Sequence, residues 1–212
     1  MNFIGGNWER GLGVTYASTN PRNETILWEG NYASKDQIKS VIECASKAHP
    51  KWSSLSFKER LSIIKNFYNL LEKNAQKISE IIALETGKVA HDAESEVSAA
   101  RAKLKNVIDA YKDRTGAKKI VTNIIKTSLT HHSLGVVCVI GPFNFPLHLP
   151  NGQITPSLLA GNTVIFKPSE STPLISEYMM MLWEEAGIPK GVINLLHGKK
   201  WVVQNLVKHP KI

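Results

Sequence analysis

Three side chains stand out as able to do chemistry: Asn144, Lys167 and Glu170. Asn144 lies in Gly141-Pro142-Phe143-Asn144-Phe145-Pro146, directly after the β-rich run Val136-Val137-Cys138-Val139-Ile140. An amide just past a strand end can donate a hydrogen bond to an oxygen that gains negative charge when a carbonyl is attacked. The same amide could instead close a turn on its own backbone, a common use of asparagine at such places. Lys167 and Glu170 stand in Lys167-Pro168-Ser169-Glu170, after the apolar run Thr163-Val164-Ile165-Phe166. An ammonium and a carboxylate at that spacing can grip the adjacent hydroxyls of a ribose, one donating and the other accepting. The carboxylate would also repel a phosphate at the 2′ position. The bland alternative is a local ion pair on the surface, worth little.

These groups need elements to place them. From residue 134 onward the pattern alternates, with strands expected at 135–140, 163–167 and 191–197 and helices at about 151–160, 173–186 and 200–208. Such alternation means parallel strands joined by right-handed crossovers, half of a doubly wound sheet. A dinucleotide lies across the carboxyl edge of such a sheet. Ahead of it, helices are expected at 35–48, from the capping box Ser56-Phe57-Lys58-Glu59 onward, at 75–86 up to Gly87, and at 89–113. Residues 1–33, rich in Gly, Asn and Trp, suggest short strands and turns wrapped on the surface. The fold class is therefore α/β, with a helical layer over residues 1–115 and a partial dinucleotide-binding sheet over 134–212.

Between them, residues 116–133 alternate with period two and read as a two-stranded ribbon with a polar face. A lone ribbon is marginal in water, so it must pair with something or fold back on its own domain. The net charge of +8 collects in residues 101–126, with eight Lys or Arg against two acids, and in 190–212, with five Lys and no acid. No stacking aromatics are interleaved with these bases, which argues for solvated faces rather than nucleic-acid binding. No apolar run is long enough to span a bilayer, and the start Met1-Asn2-Phe3-Ile4-Gly5-Gly6 lacks a secretory pattern, so a cytoplasmic protein is expected. With only Cys44 and Cys138, neither a disulfide framework nor a metal site is expected. Cys138, mid-strand in apolar company, should be an inert thiol, and His197 incidental rather than catalytic.

At residues 141–146 and 167–170 the chain resembles the NAD-dependent aldehyde dehydrogenase superfamily. The longer run Gly-Pro-Phe-Asn-Phe-Pro-Leu-His-Leu-Pro-Asn-Gly-Gln-Ile (141–154) is similar to its succinylglutamate semialdehyde branch. Asn20-Pro21, Glu85-Thr86-Gly87-Lys88 and Arg114-Thr115-Gly116 carry the likeness elsewhere. The resemblance implies NAD as cofactor and oxidation of N-succinylglutamate 5-semialdehyde to N-succinylglutamate, in arginine catabolism. It implies that Asn144 polarises the aldehyde, that Gly141, Pro142, Phe143, Lys167, Ser169, Glu170 and Gly198 line the cofactor, and that the ribbon joins a neighbouring subunit into a homo-oligomer. The sequence departs from the family after the third strand. Gly198-Lys199-Lys200-Trp201-Val202-Val203-Gln204 has lysines and Val203 where glycines are usual, which would crowd the cofactor. The family's nucleophilic cysteine and general-base glutamate come from segments beyond Ile212. A truncated, inactive amino-terminal part is the resulting expectation, with a non-catalytic nucleotide-binding or oligomerising fragment as the alternative.

Overall fold

The computed structural model describes residues 1–115, 118–121 and 125–212, with backbone only for 118–120. The chain runs β1 (Asn2–Ile4), β2 (Asn7–Glu9), β3 (Thr15–Thr19), β4 (Ile26–Asn31), then α1 (Lys35–Ser54), α2 (Phe57–Lys73), α3 (Ala75–Thr86) and α4 (Ala90–Arg114). The ribbon strands β5 (Lys118–Val121) and β6 (Lys126–Leu129) follow. The last third alternates through β7 (Val136–Ile140), α5 (His148–Leu159), β8 (Thr163–Lys167), α6 (Pro173–Glu185), β9 (Ile193–Leu195) and α7 (Lys200–Val207).

One five-stranded sheet in the order β2-β1-β9-β8-β7 organises the molecule. β7, β8 and β9 are parallel, as their alternation with helices requires, and Ile140 stands opposite Lys167 at the carboxyl edge. Side chains leave β8 in alternation. Val164 and Phe166 join the core beneath α2–α6, while Ile165 packs towards α1 and α7 with Ile38, Ile42, Val202 and Leu206. The sheet is thus covered on both faces, which explains its continuous apolar strands.

The amino terminus corrects an expectation. β1 is buried and pairs antiparallel with β9, Phe3 opposite Leu195, so it extends the main sheet instead of wrapping the surface. Three residues are too few to show a period, and only the tertiary pairing reveals their place. β3 and β4 do form a separate hairpin. Two helix boundaries also move. α1 continues through Pro50 to Ser54, and α5 starts at His148 rather than 151. Pro150 sits in the first turn of α5, where its missing N–H costs no helical bond.

The capping box of Ser56 and Glu59 opens α2, with Ser56 N donating to Glu59 Oε2 over 2.7 Å and Glu59 N to Ser56 Oγ over 3.3 Å. Gly87, at φ 72°, closes α3 in the left-handed conformation that a side chain would strain. β5 and β6 pair antiparallel as a two-stranded sheet of their own, and residues 116, 117 and 122–124 of the expected ribbon lie outside the described residues. Val121 and Leu129 on this ribbon are exposed. Among the described residues no helix is long and apolar enough to cross a membrane.

Candidate functional site

The carboxyl edge of β7, β8 and β9 presents three βα connections side by side. The first begins at Gly141, whose N–H donates to Lys167 O over 2.9 Å and so ties the end of β7 to that of β8. A Cβ at this position would meet the Phe166 ring at 2.9 Å, so glycine is required by close packing of the chain on itself. Phe143, Asn144 and Phe145 then run exposed along the edge. Among the described residues the Asn144 amide has no hydrogen-bond partner, so it is not closing a turn on its own backbone. It borders a cleft of about 710 Å³ with Phe145, His148, Lys88, Asp92, Ser95, Glu96 and Ala99.

What holds Asn144 still comes from the helical layer. Glu96 on α4, almost fully buried, accepts from Leu147 N over 3.0 Å and His148 N over 3.2 Å, at the start of α5. Its other oxygen takes the Lys88 ammonium at 2.6 Å, and that ammonium lies 3.9 Å from the centre of the Phe145 ring. Carboxylate, ammonium and ring thereby clamp both neighbours of the turn. Nothing in the sequence around 141–146 pointed to Glu96, whose partners lie about fifty residues away. Lys88 belongs to the Glu85–Lys88 stretch that carried the family likeness without any assigned role.

The second connection holds the Lys/Glu pair. Lys167 is buried, with its Nζ donating to Gly198 O over 3.1 Å and standing 3.8 Å from Glu170 Oε2. Burial holds its ammonium below the ordinary lysine range, and the Glu170 carboxylate opposes that shift. This is not an idle surface pair, because one partner is desolvated and anchored to the third strand end. Ser169 Oγ accepts from Ser171 N over 3.2 Å, so this residue shapes the turn. Phe143 and Glu170 share the wall of a neighbouring pocket with Tyr16, Tyr32, Glu85, Thr172 and Lys199.

The third connection answers the departure from the family pattern. A Cβ on Gly198 would lie 2.2 Å from Val202 Cγ2, so glycine here admits the chain's own helix α7. Val202 turns inward to the core, and Val203 is half-buried rather than standing across the loop. The α7 N-terminus has no side-chain cap. By contrast the starts of α5 and α6 are occupied by the carboxylates of Glu96 and Glu85. Of the three, the α7 start is therefore the one whose N–H groups remain open to an anion, with Lys199 and Lys200 beside it.

The remaining candidates fall into place as structure. Burial pushes the Cys138 thiol up to about 11, as expected of an inert thiol. His197 is buried, 3.2 Å from Glu177 Oε1 and 4.9 Å from the Trp28 ring, and burial drives it well below the usual histidine range. Arg101 pairs with Glu72 on α2, whereas Lys103 lies across Gly152 on α5. Burial, and then the Lys103 charge, lower the His148 pKa, with Glu96 opposing them. Among the described residues no three His, Cys, Asp or Glu side chains are grouped to hold a metal ion.

With this geometry in hand, comparison with known proteins gives a consistent picture. The family model described as "Aldehyde dehydrogenase family" matches residues 8–212. An aldehyde dehydrogenase structure from Brucella melitensis biovar abortus 2308 superposes with a TM-score of 0.94 at 29% identity, covering 100% of this chain and 44% of that one. A NAD-dependent benzaldehyde dehydrogenase from Corynebacterium glutamicum gives 0.91 at 29% identity, covering 99% and 47%. A NADP-dependent glyceraldehyde-3-phosphate dehydrogenase from Bacillus halodurans C-125, complexed with NADP, gives 0.93 at 27% identity, covering 100% and 46%. The chain spans less than half the length of these proteins.

Proposed function

Since this chain belongs to the aldehyde dehydrogenase family, we propose that it forms the adenosine side of the dinucleotide site and supplies the oxyanion amide for NAD-dependent oxidation of an aldehyde to a carboxylate. The observation that carries this reading is the juxtaposition of a free Asn144 amide with a buried, Gly198-anchored Lys167 and its Glu170 partner on one sheet edge. The residues fit the group. Lys167 has two N–H donors left after Gly198 O, and half-exposed Glu170 has acceptors for a vicinal diol. The open α7 start offers N–H groups to the dinucleotide phosphates. Bound there, the nicotinamide would accept the hydride.

The work of the chain's own residues then divides cleanly. Asn144 donates to the aldehyde oxygen as negative charge builds on it, a preorganised donor with nothing to break beforehand. Phe145 lends that cleft an apolar wall beside the amide. Glu170 repels a 2′-phosphate, which favours NAD. The likeness of residues 141–154 to the succinylglutamate semialdehyde branch supports N-succinylglutamate 5-semialdehyde, in arginine catabolism, as the substrate. The ribbon of β5 and β6, exposed at Val121 and over Lys126–Leu129, suits addition to the sheet of a second subunit, giving a homo-oligomer. Titration of the chain with NAD, NADP and 5′-AMP by calorimetry tests the cofactor half. Saturable AMP binding lost in Lys167→Met supports it, and absence of binding removes it.

A further inference from the structure

Building on the cofactor reading above, we propose that Glu85, on α3, is a positioning residue that sets the ribose-binding segment Lys167–Glu170 by capping α6 from another part of the chain. Only residues 168–172 join β8 to α6, so whatever fixes the first turn of α6 fixes Glu170. That turn has no local cap. Thr172, at the N-cap position, makes no side-chain capping bond, and Pro173 has no N–H to offer. The first free donors are Leu174 N and Ile175 N. Glu85 meets both at once, Oε1 to Leu174 N at 2.8 Å and Oε2 to Ile175 N at 2.8 Å.

The contact is buried and reinforced. Glu85 is 4% exposed and comes from about ninety residues earlier, at the end of α3. Ser18 on β3 donates from Oγ to Ser171 O over 3.1 Å, within the connection between β8 and α6. Two elements of the amino-terminal layer therefore hold the turn between Lys167 and α6 from one side. A carboxylate at the α6 start also complements the helix dipole, so this helix end serves as a mount and not as an anion site.

The test uses the 212-residue chain with 5′-AMP as probe, read by calorimetry, alongside amide hydrogen exchange. Glu85→Gln retains the size but turns an N–H₂ towards a backbone N–H. It should weaken AMP binding roughly tenfold and speed exchange at Leu174, Ile175 and residues 169–172. Ile78→Val, a core truncation elsewhere on α3, controls for general loss of stability and should leave both readings at the wild-type value. Equal weakening by the two variants, or faster exchange with unchanged AMP affinity in Glu85→Gln, would overturn the proposal. If the wild-type chain fails to bind AMP, the cofactor reading falls, and the exchange pattern alone decides whether Glu85 holds the segment.

Discussion

The ends of β7 and β8 lie side by side in register, yet they are built in opposite ways. After β7 the chain leaves Asn144 with an unpaired amide between two exposed phenylalanines. After β8 the functional groups are drawn inward, with Lys167 desolvated, bonded to Gly198 O and facing Glu170. Both loops nevertheless lead into helices that start on a buried glutamate of the helical layer, Glu96 for α5 and Glu85 for α6. On the proposed reading, one kind of support serves two different tasks. A group that must meet charge only during reaction is left unsatisfied on a rigid turn. A group that must hold a ligand in its ground state is embedded and pre-oriented by its own partners.

If that division holds, the largest effect belongs to the β7 end. In a chimera joining residues 1–212 to the carboxyl-terminal remainder of a matched enzyme, Asn144→Ala should lower kcat by about 10²–10³ with cofactor affinity unchanged. Steady-state kinetics decide this, and undiminished turnover would reduce the amide to a bystander. At the β8 end, Lys167→Met should weaken dinucleotide binding by about ten- to a hundredfold without altering kcat at saturation, since it removes a charge-assisted donor. A loss in kcat instead would blur the two ends into one function.

The supports can be separated by pH. Burial raises Glu85 to about 7, outweighing the two backbone donors and Ser18, which pull it down. A carboxyl whose folded pKa lies above its unfolded value of 4.5 adds stability that is complete below that value and lost as pH climbs through about 7. Denaturant unfolding between pH 4.5 and 8 should therefore show wild type losing roughly 1–3 kcal/mol relative to Glu85→Gln. Parallel profiles for the two proteins would place the titration elsewhere. The smallest expected change is in specificity: Glu170→Gln should narrow any NAD-over-NADP preference by several-fold, about 1 kcal/mol, measured as the ratio of binding constants.

Much of this molecule could be read from the chain alone because the information is local. The capping box at Ser56, the αL stop at Gly87 and the alternation of strands and helices after residue 134 each depend on neighbours within a few residues. The same holds for Asn144, Lys167 and Glu170, whose types and spacing at strand ends mark them as chemistry. The surroundings that bear on their alternative uses are not local. The free amide of Asn144 and the burial of Lys167 against Gly198 are products of packing between distant segments. So are the roles of Glu85 and Glu96, whose bonds to α6 and α5 span about ninety and fifty residues and leave no periodic trace. Even β1, three residues long, found its place in the sheet only through its pairing with β9. The sequence by itself determined where each chemical group sits along its own element, because propensity and periodicity act at short range. Only the tertiary structure decided which groups are buried, paired or left free, because desolvation and hydrogen-bond satisfaction depend on what the rest of the chain brings against them.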